Sequence, residues 1–128
     1  MGWVGVDYDG TLRFRDILGT SGKRGDPIAP MVERVKLMLR EGKDVRIFTA
    51  RVSKKPGRYA GLARHPEIER LDIELWCLLT FGRVLPVTNV KDYDCDEIWD
   101  DIAVSVELNT GEYFRFGEEI PGGDEKAA

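Results

Sequence analysis

Residues 3–12 have the sequence Trp3-Val4-Gly5-Val6-Asp7-Tyr8-Asp9-Gly10-Thr11-Leu12, and this stretch sets the architecture expected of the chain. An apolar run followed by a glycine-containing turn predicts a buried strand that ends in two acids, Asp7 and Asp9. Ionised carboxylates there need a cation or hydrogen-bond donors. The Gly10-Thr11 turn leaves backbone N–H groups able to face an anion. The pattern predicts a metal beside a phosphate, although an isolated D-x-D is more often a capped strand end with solvated acids.

The remaining sequence alternates between strand-like and helical patterns, which predicts an α/β fold. We expect a three-layer, Rossmann-like, mostly parallel sheet with helices on both faces and a C-terminal β-hairpin. The strands are expected at about 3–7, 45–49, 84–87 and 97–99, and the third is placed toward a sheet edge because it contains Pro86. Asn109-Thr110-Gly111, between residues 102–106 and 112–116, predicts the hairpin turn.

Two helices are expected between these strands. The first begins near Pro27 and Pro30 and stops at Gly42, and the second runs from about Pro66 to Phe81. His65 is expected at the start of the second helix rather than in catalysis. The apolar residues of that helix predict a buried stripe, made of Ile68, Leu71, Leu75, Trp76, Leu78 and Leu79.

Several polar residues follow the expected strands directly. Asp7 and Asp9 follow the first, Thr49 ends the second, and Asp100 follows the fourth. Because the carboxyl ends of parallel strands meet at the ligand site of such a sheet, these side chains are expected to lie together.

The motifs and their order resemble those of the haloacid dehalogenase (HAD) superfamily of phosphohydrolases, whose first motif is an apolar strand followed by D-x-D-x-T. The later elements are Ile47-Phe48-Thr49-Ala50-Arg51, then Lys91 after Val90, and then Asp100-Asp101 after Ile98-Trp99. The resemblance implies that Asp7 is a nucleophile that becomes an aspartyl-phosphate and that Asp9 is the general acid and base. Thr49 and Lys91 would contact the phosphoryl oxygens.

The same resemblance implies a Mg²⁺ ion, which suits a site of carboxylates, a carbonyl and waters. Its implied ligands are the Asp7 side chain, the Asp9 backbone carbonyl and one acid of the Asp100-Asp101 pair. Asp100 is favoured for direct ligation, with Asp101 behind it, and the reverse assignment is open. The acids at Asp92, Asp94, Asp96 and Glu97 are expected to form a solvated turn.

The loops ahead of the two helices are too short to hold a packed cap domain, so the chain resembles the capless branch of the superfamily. Both loops are basic: residues 13–26 carry a net charge of about +2 and residues 51–64 about +5. A basic rim would attract a substrate with more than one anionic group, although solubilising charge explains it equally well. Arg51 is expected either to contact substrate or to close a salt bridge, and Tyr59 could stack on a ring. The residues expected to bind substrate are Gly10, Thr49, Arg51, Lys54, Lys55 and Arg58.

Composition limits the alternatives. A chain of 128 residues fits one domain, expected over residues 1–116 with a frayed acidic tail at 117–128. The net charge of −4 argues against generic nucleic-acid or membrane binding by the whole surface. The absence of a long apolar segment favours a cytoplasmic location. The two cysteines, Cys77 and Cys95, have no metal-binding spacing.

The sequence therefore predicts a Mg²⁺-dependent phosphomonoesterase that acts on a nucleotide, a polynucleotide end or a sugar phosphate. The alternative is a phosphate- or metal-binding module without turnover. A receiver-type signalling domain is disfavoured because residues 84–87 offer no acid at the end of the third strand. The particular substrate and the oligomeric state are left open.

Overall fold

The computed structural model describes residues 2–16, 18–54 and 65–117. Its main sheet has four parallel strands in the order β3-β2-β1-β4: β1 (Trp3–Val6), β2 (Asp44–Phe48), β3 (Val87–Thr88) and β4 (Cys95–Trp99). Helix α1 (Ala29–Arg40) connects β1 to β2, and helix α2 (Pro66–Phe81) lies between β2 and β3. The α/β class and the parallel sheet are confirmed.

The two helices begin and end as their sequences predict. Pro30 lies in the first turn of α1, and Gly42 follows its end with a φ of 80°. At the start of α2 the His65 ring accepts a hydrogen bond from the Glu67 N–H, which confirms the predicted helix-start role. Gly82 ends α2 in the left-handed conformation, where a side chain would be strained.

One face of the sheet forms the core. The side chains of Val4, Val6, Val45 and Ile47 alternate along β1 and β2 and pair across them. They share one buried cluster with residues of both helices, Met31, Val32, Val35 and Met38 of α1 and Ile73 and Cys77 of α2. Trp3 lies on the other face, where it is buried against Phe48 and under the Arg46 guanidinium.

The predicted buried stripe of α2 is wrong. Ile68, Leu71, Leu75, Leu78 and Leu79 are all about half exposed or more, and only Trp76 of that set packs on the core. The inward positions are instead Glu69, Ile73 and Cys77, at the four-residue spacing of one helix face. Glu69 can occupy that face because an arginine reaches it, as described below.

The third strand lies at the sheet edge, as predicted, but begins later than expected. It pairs only through Val87 and Thr88, while the Pro86 carbonyl already accepts from the Ile47 N–H. Proline has no N–H to donate to a ladder, so regular pairing starts after it.

The predicted C-terminal hairpin is present as a short antiparallel pair. Its strands are β5 (Ser105–Val106) and β6 (Tyr113–Phe114). Asn109 and Gly111 both have positive φ in the connecting turn, as the sequence predicts. Within the ranges given above, no helix combines the length and apolarity needed to cross a membrane.

Candidate metal and phosphate site

Three carboxylates meet where the order of the sheet reverses. The next two strands of the chain, β2 and β3, lie on one side of β1, whereas β4 pairs with the other side of β1. Asp7 follows β1 and donates its N–H to the Trp99 carbonyl at 2.9 Å. The side chains of Asp7, Asp100 and Asp101 each offer an oxygen within 4.8 Å of the others. Such a reversal point is where open α/β sheets bind ligands.

The electrostatics of this triad, defined as Asp7, Asp100 and Asp101, are unfavourable without a cation. The pKa of Asp7 is raised to about 7, first by burial, then by a hydrogen bond with Asp101 and by the charge of Asp100. The Thr11 hydroxyl donates to Asp7 at 3.3 Å. A divalent cation would offset this repulsion, and three carboxylates are a donor set that suits a hard ion such as Mg²⁺.

The raised pKa predicts how the stability of the metal-free protein depends on pH. Between about 4 and about 7, folded Asp7 holds a proton that the unfolded chain has released, so the free energy of unfolding should fall as pH rises through this window. Urea unfolding in EDTA would measure the slope. The Asp7→Asn protein should show a flatter dependence, and an equal slope in both proteins would contradict the assignment.

The backbone around the triad fixes two of its acids. One oxygen of Asp100 accepts from the N–H groups of Ile102 and Ala103, at 2.6 and 3.2 Å. Gly10 has a φ of 84°, and a Cβ there would lie 2.6 Å from an Asp101 oxygen. The Gly10 turn therefore lies against Asp101, and its positive φ is one that a side chain would strain. Asp100 and Asp101 both remain candidates for the direct ligand.

The Asp9 side chain contacts two arginines rather than the carboxylates of the triad. Its two oxygens accept from Nε and Nη2 of Arg51, at 2.6 and 2.8 Å. Arg13 approaches the same carboxylate at 3.9 Å. Of the two roles left open for Arg51, the structure shows the salt bridge.

Thr49 follows β2 and lines the same cleft as the triad. It is 5% exposed, and its Oγ1 accepts from the Arg51 N–H at 3.2 Å. Since that bond uses an oxygen lone pair, the hydroxyl proton is available to donate to a phosphoryl oxygen.

Two residues that contact Arg51, namely Tyr8 and Glu69, were not predicted from the sequence to belong to the site. Glu69 of α2 is 7% exposed and accepts from Nη1 of Arg51 at 2.8 Å. Tyr8 is buried, and the guanidinium groups of Arg13 and Arg51 lie 5.4 and 5.5 Å from its ring centroid. The available signal for Glu69 was its four-residue spacing from Ile73 and Cys77, which places an acid on an apolar helix face.

The cleft that contains the triad has a volume of about 1050 Å³. Acids and arginines line it together with two phenylalanines and small polar residues. Its lining is Asp7, Asp9, Arg13, Phe14, Arg15, Asp16, Arg24, Phe48, Thr49, Ala50, Arg51, Ser53, Asn89, Asp100, Asp101 and Ile102.

Other predicted site residues are not brought to this cleft. Lys91 and Lys54 are exposed and are not among the lining residues. Lys55, Arg58 and Tyr59 lie outside the described residues. Asp92 accepts from the Trp3 indole N–H at 2.7 Å. The predicted solvated turn is only partly correct, because Asp96 and Glu97 belong to β4, which begins at Cys95.

Comparison with models of protein families, with curated proteins and with solved structures found no match to this chain.

Proposed function

We propose that this chain is a Mg²⁺-dependent phosphomonoesterase of the HAD type, acting on a nucleotide, a polynucleotide end or a sugar phosphate. The observation that carries the proposal is the triad at the ends of β1 and β4. Thr49, at the end of β2, lines the same cleft and supplies a hydroxyl donor. This is the arrangement expected for phosphoryl transfer, in which positioning and charge neutralisation do most of the work.

The triad fits a hard divalent cation. Asp7 and one of Asp100 and Asp101 would hold it, together with the Asp9 carbonyl that the HAD resemblance implies. When bound, Mg²⁺ would neutralise the charge of the phosphoryl group.

The residues of the chain then divide the reaction between them. Asp7 attacks phosphorus, forming an aspartyl-phosphate as the bond to the leaving oxygen breaks. Asp9 gives that oxygen a proton, which requires one Asp9 oxygen to leave Arg51 first and to take up the proton from water. Asp9 next takes a proton from the water that attacks the phosphorus, which releases phosphate and restores Asp7. Thr49 donates to a phosphoryl oxygen. Lys91 is proposed to neutralise that oxygen, which requires its side chain to turn toward the cleft.

A phosphate- or metal-binding module without turnover is the second candidate. The observation that favours it is the ion pair of Asp9 with Arg51, which occupies both oxygens of the proposed acid. A protein that only binds phosphate would lose nothing by this pairing.

The proposal extends to features that the fold leaves coarser. These are a Rossmann-like arrangement, a single capless domain and a cytoplasmic location. The expected third layer is not among them, because both described helices, α1 and α2, pack on the same face of the sheet. The acidic tail after Gly117 lies outside the described residues.

A panel of phosphate esters with Mg²⁺ tests the proposed function. The purified protein should release inorganic phosphate from at least one nucleotide, oligonucleotide phosphate or sugar phosphate. Stabilisation of the protein by Mg²⁺ without any phosphate release would favour the binding module instead.

Asp9→Asn should slow turnover in a way that depends on the leaving group. General acid help is worth about 10²–10⁴-fold, so the loss should fall in that range for an alkyl phosphate and be much smaller for p-nitrophenyl phosphate. The p-nitrophenolate oxygen needs less protonation as it leaves. Measurement of kcat on both esters checks this, and an equal loss on both would count against Asp9 as the acid.

Two arginines of the first loop should select substrates that carry a second anionic group. Arg15 and Arg24 line the cleft and are exposed. Changing both to Ala should raise KM for an oligonucleotide 3′-phosphate, and the effect should shrink with salt because exposed charges are screened over about 8 Å at physiological ionic strength. KM for p-nitrophenyl phosphate should barely change.

The matched control removes the same charge from helix α1, away from the cleft, by changing Arg34 and Arg40 to Ala. If this protein shows the same rise in KM, the effect comes from net charge rather than from a subsite. The corresponding prediction for Lys54, Lys55 and Arg58 of the second loop stays open.

A further inference from the structure

Arg51 joins the proposed acid to helix α2. Its guanidinium uses Nε and Nη2 for Asp9 and Nη1 for Glu69, with three contacts between 2.6 and 2.8 Å. A planar guanidinium presents its donors in a rigid fork, so fixing one end of the fork fixes the direction of the other.

Glu69 is placed to fix that fork. It lies in the first turn of α2, beside the capping residue His65, and is 7% exposed on the face that carries Ile73 and Cys77. A carboxylate so far removed from water needs a charged partner. Glu69 is not among the described residues that line the cleft, so its proposed effect is exerted through Arg51.

Tyr8 packs against the same guanidinium. Arg51 lies over its ring, and the ring is 2% exposed and meets Trp76 edge-on at 5.3 Å. Arg51 is thus restrained by packing as well as by its hydrogen bonds.

We propose that Glu69 is a positioning residue for Asp9 and acts on it through Arg51. The inference rests on the proposed function, because Asp9 needs a fixed place only if it exchanges protons with the leaving oxygen and the water. Glu69 sets the direction of the guanidinium, and the guanidinium holds the Asp9 carboxylate at the cleft in a resting position, from which one oxygen leaves Arg51 to exchange a proton. A misplacement of about 1 Å can cost up to about 10²-fold in rate, even when the change is remote.

Glu69→Ala should therefore lower kcat for an alkyl phosphate by about 10- to 100-fold and lower it much less for p-nitrophenyl phosphate. Glu69→Gln retains an oxygen that accepts from Nη1, so it should recover most of the loss. Stabilisation by Mg²⁺ should be unchanged in both. Glu67→Ala, which removes an exposed carboxylate from the same turn of α2, is the matched control and should leave both rates unchanged.

An equal loss on both esters, or full activity of Glu69→Ala on the alkyl ester, would overturn the proposal. If Glu69→Ala does not fold, Arg51→Lys takes its place: one ammonium cannot reproduce the fork, and the same dependence on leaving group is expected. An equal loss on both esters in Arg51→Lys would overturn the proposal in the same way.

A second measurement does not need turnover. The Arg51 Nε–H proton should exchange slowly with water in the unmodified protein and rapidly in Glu69→Ala, as followed by guanidinium NMR. Equal exchange in the two proteins would overturn the proposal. If this difference in exchange is found but no ester is hydrolysed, the proposed function is refuted, whereas the contact of Glu69 with Arg51 is supported.

Discussion

The Asp7→Asn protein should fold and lose essentially all turnover. Asparagine has nearly the same shape but is not a nucleophile, and loss of a catalytic nucleophile typically costs about 10⁶-fold in kcat. The substitution also removes a carboxylate whose ionisation is disfavoured by burial and by its neighbours, so the metal-free fold should not suffer. Phosphate release and circular dichroism measure the two effects.

The control for this substitution is Asp44→Asn at the other end of the sheet. Asp44 begins β2 and pairs with Arg46 at the surface, so its loss should change the rate little. Activity of Asp7→Asn near that of the unmodified protein would rule out an aspartyl-phosphate mechanism. A loss of similar size in Asp44→Asn would point to general damage instead.

Removal of divalent cations should abolish turnover reversibly. Without a cation the three carboxylates of the triad repel one another and the substrate phosphate. Much of the charge stabilisation of the reacting phosphoryl group is also lost. Activity should disappear in excess EDTA and return when Mg²⁺ is added beyond the chelator. Unchanged activity in EDTA would exclude the proposed use of the triad.

Thermal stability measured with and without Mg²⁺ can decide which acid after β4 holds the ion. Thermal stabilisation by Mg²⁺ should be lost in the variant that lacks the direct ligand and only weakened in the other. The two variants are Asp100→Asn and Asp101→Asn. Equal and full stabilisation of both would mean that neither side chain binds the ion.

The sequence predicts the sheet and the helix ends well because these depend on local signals. Prolines and glycines mark where α1 and α2 begin and end, and the glycine φ values agree. The parallel pairing of β1 follows from the alternation of strands and helices. The late start of β3 is also local in origin, since it depends on the missing N–H of Pro86.

The orientation of α2 could not be predicted in the same way. Leucine is the commonest apolar residue of α2, so hydrophobicity alone turns its four leucines inward. The observed orientation places Glu69 inward, where it meets Arg51 from a turn that lies 18 residues earlier. That contact depends on the tertiary approach of two elements, which a pattern along one helix does not contain.

The same distinction between local signals and tertiary contacts applies to the candidate site. The convergence of Asp7, Asp100, Asp101 and Thr49 follows from their positions at strand ends, and the structure brings all four to one cleft. The pairing of Asp9 with Arg51 follows from the direction of two side chains, which strand order does not fix. The sequence could therefore offer the salt bridge only as one of two roles for Arg51.

The pairing of β1 with β4 also has a consequence for how this protein folds. Next to that ladder, the Gly2 N–H binds a carboxylate 94 residues away, at Asp96. Contacts that distant close late, because the chain between them must lose its conformational freedom first. As the protein is synthesised, β1 can pair with β2 long before β4 has left the ribosome. Asp100 and Asp101 therefore cannot join Asp7 until synthesis passes residue 101. During synthesis, protection of the Trp3–Val6 amides against hydrogen exchange should rise in two steps, first when β2 pairs with β1 and then when β4 does.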